Sequence, residues 1–140
     1  MKTAIERLAE SIQYPETVPA GAMSFTFSVD GEDIAVRESD GRLIAVRSLW
    51  VASGDDEIDA HMPGMLARYA AGRILREEAA LAWDDAHNAV ILWQDIPTSA
   101  PTERLRRFFE VFAASCEWWS DRVQEAMTPE PVFPQMVIRP

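Results

Sequence analysis

The sequence predicts an α+β domain in which one antiparallel sheet of about five strands is covered by three helices, in the chain order α-β-β-β-α-β-β-α. Two observations lead to this fold class. Apolar residues between Thr102 and Met127 recur at spacings of three and four, the pattern of a long helix lying along a hydrophobic surface. Upstream, short runs of alternating apolar and polar residues are joined by Asp30-Gly31 and Asp40-Gly41, which favour tight hairpin turns. We therefore expect the long helix to cover a sheet built by the residues before it.

The final helix carries its apolar residues in two strips. The wider strip, which we expect to face the core, contains Leu105, Phe108, Phe109, Phe112, Cys116, Trp119 and Val123. Cys116 is the single cysteine, so the chain forms no internal disulfide, and in this strip it is interpreted as a small buried hydrophobe. Val111, Ala114 and Trp118 form a smaller strip on the opposite side, which is either half-buried or in contact with a partner.

The first half of the chain predicts a short helix and a three-stranded meander. A capping box from Thr3 to Glu6 starts the helix, and Tyr14-Pro15 stops it. Alternating residues predict strands over 23–29 and 33–37, and the more apolar segment 43–51 predicts a third, more central strand. The two Asp-Gly turns make all three strands antiparallel.

The second half predicts another helix, a hairpin and a tail. After a polar loop over 53–59, we expect a helix from Pro63 to about residue 75, with the proline in its first turn. The hairpin is predicted from two strands and a polar turn, over 79–83, 89–94 and 84–88 respectively. The last 13 residues hold four of the nine prolines, so we predict one domain over residues 1–128 and an extended proline-rich tail over 129–140.

Composition narrows the function classes. The chain has 140 residues, of which 48% are hydrophobic, enough for one core without disulfides or metals. Its formal net charge is −10, which disfavours nucleic acids and anionic membrane surfaces because both are themselves negatively charged. The sequence shows no charged-then-apolar leader and no apolar run of bilayer-spanning length. We expect a cytoplasmic protein that neither binds nucleic acid nor inserts into a membrane.

The polar residues offer no catalytic pattern. His87 falls in the predicted 84–88 turn and His61 falls near the start of the predicted second helix, where a cap or surface role is expected. The carboxylate runs at 55–57 and 77–78 are typical of solvated loops and helix ends, because neighbours in sequence rarely converge on one substrate. Phosphate-binding glycine loops and nucleophile elbows are absent from the sequence. We expect no enzymatic activity, no cofactor and no metal site.

Aromatic residues instead favour a binding function. The chain has five tryptophans, at positions Trp50, Trp83, Trp93, Trp118 and Trp119. Tryptophan is common both in cores and at protein interfaces, so these residues are either core or contact surface. An acidic domain with spare aromatic surface is suited to binding an extended, amphipathic chain.

The order of elements and several local patterns resemble the class I type III secretion chaperones, typified by the chaperone of the translocated intimin receptor. The resemblance covers residues 3–127. It is strongest in the second half, in the segments 63–71, 80–85, 89–93, Ile96-Pro97 and the long final helix.

The resemblance implies a cytoplasmic homodimer in a Gram-negative bacterium that uses no cofactor and performs no bond chemistry. The N-terminal segment of a secreted effector wraps around such a dimer in extended form. It is kept soluble and secretion-competent until an ATPase of the secretion apparatus releases it. In the family, the second helix and the following hairpin build the dimer interface, which gives as candidate dimer contacts Met65, Leu66, Tyr69, Ala70, Trp83 and Trp93. Those of the second helix alternatively pack on the protein's own sheet.

An exposed sheet edge beside apolar patches would hold an extended effector segment. The candidate effector-binding residues are Ile5, Leu8, Ile12, Phe25, Phe27, Val29, Val111 and Trp118. Those of the first helix and first strand are alternatively core. Two other functions stay open, a non-secretory regulatory protein of the same fold, of the YbjN type, and an acidic immunity or antitoxin protein.

Overall fold

The computed structural model describes residues 1–73 and 78–127 and has the predicted order of elements. The predicted tail over 129–140 lies outside the described residues. Elements of the described part are α1 (Ala4–Ser11), β1 (Ser24–Val29), β2 (Glu32–Ser39), β3 (Arg42–Val51), α2 (Asp56–Arg73), β4 (Ala80–Asp84), β5 (Ala89–Pro97) and α3 (Thr102–Met127).

One five-stranded antiparallel sheet has the strand order β1-β2-β3-β5-β4, so β1 and β4 are its edges. The Asp30-Gly31 and Asp40-Gly41 turns both have two residues with positive φ, between 50° and 80°. This backbone form joins adjacent strands because its twist matches that of the strands. The predicted α+β fold class and both hairpin turns are confirmed.

The core lies on one face of the sheet. Phe27, Ile34, Leu43 and Leu92 belong to four neighbouring strands and are all fully buried on this face. α1 and α3 pack side by side over it, and α2 adds Met62 and Leu66 to the same core. The predicted core strip of α3 is confirmed, since every member is buried, including Cys116.

α1 begins with the predicted capping box. The Thr3 hydroxyl accepts a hydrogen bond from the backbone N–H of Glu6 (3.2 Å), and the Glu6 carboxylate accepts one from the backbone N–H of Thr3 (3.1 Å). The backbone N–H groups of Thr3 and Gly21 both lower the pKa of Glu6. A lowered folded-state pKa means that this stabilisation is present above the ordinary value of 4.5 and is lost as the pH falls through the lowered value.

Replacing Thr3 by Ala is expected to cost about 1 kcal/mol of unfolding free energy, because it leaves one N-terminal donor of α1 without its partner. Urea denaturation of both proteins measures the difference. Thr3→Ser, which keeps the hydroxyl, serves as the control. An equal loss in the Ser variant would show that the hydroxyl hydrogen bond is not the cause.

α2 begins seven residues earlier than predicted, at Asp56 instead of Pro63, so the predicted loop is wrong in its second half. Asp55 caps the helix, because its carboxylate accepts hydrogen bonds from the backbone N–H groups of Glu57 (3.1 Å) and Ile58 (3.3 Å). The acidic run that resembled a loop supplies the first turn, where carboxylates favour the positive helix end. Pro63 therefore lies inside the helix.

Two strands are longer than predicted. β2 runs from Glu32 to Ser39, because its first residue pairs with Val29 of β1 and its last with Arg42 of β3. β5 continues to Pro97 instead of ending at Gln94, because its last residues pair with the start of β3. Pairing with a neighbouring strand thus extends the strands over polar residues at which the apolar pattern ends.

Among the described residues, none of the helices has the length and apolar character needed to cross a membrane.

Candidate peptide-binding surface

The outer side of strand β1 is an unpaired sheet edge. The backbone N–H of Ser28 points away from β2 and donates a hydrogen bond to the Tyr14 hydroxyl (2.9 Å). Because main-chain groups alternate in direction along a strand, Ser24 and Thr26 also direct their N–H and C=O groups outward. Neither has a backbone partner on that side among the described residues. The edge therefore offers two residues of free main chain, bounded by Tyr14.

An aromatic cluster lies beneath this edge. Tyr14 packs edge-to-face against Phe25 and Phe27, with centroid distances of 5.8 and 4.9 Å. Phe27 in turn meets Phe109 of α3 at 5.2 Å. Tyr14 and Phe25 are half-buried, whereas Phe27 is fully buried. The rings of Tyr14 and Phe25 are therefore partly accessible beside the edge.

A groove adjoins the cluster, and we call it the α1–α3 groove. It runs between the C-terminal end of α1, the β1–β2 turn and one flank of α3, and has a cavity volume of about 750 Å³. Its apolar lining includes Ile12, Val29 and Phe109. Its charged lining is one arginine against four carboxylates, namely Arg106, Asp30, Glu32, Glu110 and Glu117. The groove therefore suits apolar side chains flanked by basic ones.

One wall of the groove is fixed by an ion pair. Glu32 is buried, and its Oε2 atom accepts hydrogen bonds from the Arg47 guanidinium at 3.0 Å and 2.6 Å. Arg47 comes from the neighbouring strand β3, so the pair ties β2 to β3 below the β1–β2 turn. Because both side chains are largely buried, the contact is less screened by solvent than an exposed pair.

The predicted effector-binding residues separate into three groups. Ile5, Leu8 and Phe27 are fully buried, so for them the structure favours the core alternative. Ile12, Phe25 and Val29 are half-buried at the α1–α3 groove and the β1 edge. On the other flank of α3, Val111 is 40% exposed and Trp118 is half-buried. The sequence prediction missed Tyr14 as a member of this surface, because it interpreted the residue only as a helix stop. An aromatic residue that follows an amphipathic helix is the signal that would have indicated a role for Tyr14 at the surface.

The predicted dimer-contact residues do not form one surface within the protomer. Leu66 is only 1% exposed and belongs to the core. The half-buried ring of Tyr69 packs against Trp118 and Trp119 of α3. The rest differ in exposure: Met65 and Ala70 are half-buried, Trp83 on edge strand β4 is 48% exposed, and Trp93 is half-buried on the opposite face of the sheet.

That opposite face carries an apolar patch. Its four large members alternate with the core residues of β3 and β5 and are half-buried, and we call them the outer sheet patch: Ile44, Val46, Ile91 and Trp93. Val46 and Trp93 are direct cross-strand partners. None of the described helices packs here, because all three contribute to the core on the other face. Apolar groups gathered on an uncovered sheet face are typical of a protein–protein contact.

The two histidines occupy ordinary structural positions. His87 Nδ1 lies 2.7 Å from Asp84 Oδ2 within the β4–β5 turn, and this hydrogen bond lowers the pKa of Asp84. His61 is exposed within α2, so the predicted cap alternative is wrong because the helix begins at Asp56. Within residues 1–73 and 78–127, no three potential metal ligands come together.

Comparison with known proteins identifies the fold. No protein-family model and no curated protein matches the chain. Solved structures match, and they show that the chain has the type III secretion chaperone-like fold. The matching structures described below are complexes of two proteins. The HopA1–SchA chaperone–effector complex matches with a TM-score of 0.58 at 14% identity, over 84% of this chain and 91% of that chain.

Two complexes from Pseudomonas aeruginosa give similar values. The heterodimeric ExoU–SpcU complex from the type III secretion system has a TM-score of 0.56 at 16% identity, over 82% of this chain and 93% of that chain. The ExoT–SpcS complex has a TM-score of 0.56 at 15% identity, over 82% and 92% of the two chains. The predicted fold resemblance is thereby confirmed.

Proposed function

We propose that this chain is a type III secretion chaperone. It binds the N-terminal chaperone-binding segment of a secreted effector as an extended chain and keeps it soluble and secretion-competent. The observation that carries the proposal is the fold shared with several chaperone complexes, one of them described as a chaperone–effector complex. Such binding needs neither a cofactor nor bond chemistry, so the proposed role is that of a binding protein and not an enzyme.

The β1 edge and the α1–α3 groove supply complementary contacts. An extended segment adds a strand beside β1 by pairing with the free main chain of Ser24 and Thr26, each net hydrogen bond contributing about 0.5–1.5 kcal/mol. Its alternate side chains then reach Phe25 and the groove beyond it, where burying one large apolar side chain contributes about 1.5–3 kcal/mol. Main-chain pairing accepts many sequences, whereas the acidic groove selects apolar side chains with basic neighbours.

We further propose that the protein is a cytoplasmic homodimer. The uncovered outer sheet patch and the exposed Trp83 offer apolar area that a second copy would cover. Trp83 and two members of the patch, Ile91 and Trp93, belong to the hairpin that the family resemblance assigns to the dimer contact. Release of the effector by a secretion ATPase is part of the same proposal.

The first experiment is a tagged pull-down from the native bacterium, followed by light scattering of the eluted complex. We expect a dimer of this chain that holds one secreted protein through its N-terminal hundred residues or so. Elution of the chain alone, or with a folded cytoplasmic regulator, would contradict the secretion-chaperone proposal.

Thr26→Pro tests whether the β1 edge binds the effector. Proline removes the outward N–H of Thr26, while the bonds from β1 to β2 come from the alternate residues and remain. We expect at least about tenfold weaker binding of the recovered effector segment, because one hydrogen bond is lost and the ring blocks the incoming strand. Fluorescence anisotropy with the labelled segment measures this change.

Thr26→Val is the matched control, since it changes the same side chain and keeps the N–H group. We expect its affinity to stay within about twofold of the unmodified protein. Circular dichroism melting verifies that both variants are folded. Unchanged affinity in a folded Thr26→Pro variant would exclude strand addition at this edge.

A further inference from the structure

The second flank of α3 borders a groove whose charge is opposite to that of the rest of the protein. The groove lies between α3 and the end of β5, with a cavity volume of about 750 Å³. Its charged lining is four arginines against two carboxylates, namely Arg42, Arg73, Arg104, Arg107, Glu78 and Asp95. We call it the arginine groove. It has a net charge of +2 in a chain whose formal net charge is −10.

The positive charge that is available to a ligand comes from α3. Arg42 is paired with Asp95, with 3.1 Å between Nε and Oδ2. Arg104 and Arg107 are exposed, and neither forms an ion pair with a described residue. They stand three residues apart on one helix face, so both guanidinium groups face the same groove. Unpaired arginines side by side repel each other, and an arriving carboxylate relieves that repulsion.

Apolar side chains continue the same helix face. Val111, which is 40% exposed, and the half-buried Trp118 follow the two arginines along α3 and line the groove. The guanidinium carbon of Arg73 lies 3.8 Å from the centroid of the Trp118 ring, and that of Arg122 lies 4.9 Å from it. The face is therefore cationic at one end and apolar at the other.

A buried side chain lining the groove has an unused acceptor. Gln94 is 8% exposed, and its Nε2 atom donates a hydrogen bond to Glu78 (3.0 Å). That bond fixes the amide orientation, because a flipped amide would bring its oxygen against a carboxylate. The Oε1 atom then has no hydrogen-bond partner within the described part of the chain. A buried carbonyl oxygen without a hydrogen-bond partner is unfavourable.

We propose that the arginine groove binds an acidic, amphipathic peptide segment of a protein partner. Carboxylate side chains of the segment pair with Arg104 and Arg107, and an apolar side chain packs on the exposed Val111. The segment differs in charge from the one that suits the α1–α3 groove. The inference does not depend on the secretion-chaperone proposal, since it rests on the charge and lining of this groove alone.

Charge complementarity alone would also admit a nucleic acid, but two features favour the peptide. Single-stranded nucleic acids bind by stacking bases on free aromatic faces, whereas the Trp118 ring already carries two guanidinium groups. The net charge of −10 also repels a polyanion that extends beyond the groove.

The length of the groove sets the length of the peptide. Arg104 and Trp118 lie about 21 Å apart along α3, a span that about seven extended residues cover.

The test uses a fluorescein-labelled peptide of about seven residues that alternates Glu with Leu and Phe. We expect it to bind the full chain, and we expect the same peptide with Gln in place of Glu to bind at least about tenfold more weakly. Arg104→Glu and Arg107→Glu should each weaken binding of the acidic peptide at least about tenfold. Raising NaCl from about 50 mM to about 500 mM should weaken it further, since the contacts are screened.

Arg68→Glu is the matched control. It makes the same change of charge on an exposed helix position outside the groove, and we expect an affinity within about twofold of the unmodified chain. Melting curves verify that all variants are folded. The proposal is overturned by absence of binding to the acidic peptide, by equal binding of the Gln peptide, or by an equal effect of Arg68→Glu. Tighter binding of a short single-stranded oligonucleotide would overturn it too, as would a change in oligomer mass without peptide binding.

Discussion

Replacing Leu66 by Asp is expected to unfold the protomer and not to separate two folded copies. The side chain is only 1% exposed and packs in the core between α2 and the sheet. The substitution removes a buried leucine and places a carboxylate in its position, changes that together cost more than about 4 kcal/mol. This loss is comparable to the whole stability of a domain of this size, about 5–15 kcal/mol. Circular dichroism and urea denaturation measure the loss.

Ala67→Asp is the matched control, because it introduces the same carboxylate at the next, exposed position of α2. We expect its unfolding free energy to differ from that of the original protein by less than about 1 kcal/mol. A Leu66→Asp protein with native melting behaviour would show that Leu66 does not belong to the core. The family resemblance had suggested this position as a dimer contact, but because Leu66 is buried, the substitution tests the core of the protomer.

Trp93→Asp is expected to convert the proposed homodimer into a folded monomer. Trp93 is half-buried on the outer sheet patch, where it pairs with Val46, and none of the described helices covers it. In a dimer closed over this patch, a carboxylate at this position would be buried without a partner. We expect the dimer dissociation constant to rise at least about a hundredfold, or about 2.7 kcal/mol. Light scattering over a concentration series measures the mass.

Ser24→Asp is the control for this experiment, since it places a carboxylate on the same face of the sheet but on the edge strand β1. We expect its oligomeric state to be unchanged. A Trp93→Asp variant that stays dimeric would exclude the outer sheet patch as the contact. An original protein that is monomeric at all concentrations would exclude the homodimer itself.

Signals confined to a few neighbouring residues predicted their elements well. The capping box at Thr3, the two Asp-Gly turns and the spacing of apolar residues in α3 each correspond to an observed cap, turn or helix. In each case the residues that determine the structure also form its contacts. The predicted start of α2 was wrong because the local signal is ambiguous: an acidic run is compatible with both a loop and a capped first turn. Asp55 decides between them by binding two backbone N–H groups.

Local sequence signals did not distinguish exposed apolar residues from buried ones. Phe25, Phe27 and Val29 alternate identically in sequence and share one face of β1, yet only Phe27 is fully buried. It is buried because Phe109 of α3 closes over it, more than 80 residues away along the chain. Tyr14, which bounds the free edge, likewise gains its role by reaching across to Ser28.

The order of the elements, the antiparallel hairpins and the long covering helix follow from local sequence patterns, since periodicity and turn chemistry act over a few residues. Which apolar side chains stay accessible and which charges come together depends on tertiary packing. Arg42, Arg73 and Arg107 lie on three different elements and meet in one groove because α3 crosses the end of the sheet there. Exposure and charge clustering depend on contacts between distant segments, and such contacts leave no local pattern in the sequence.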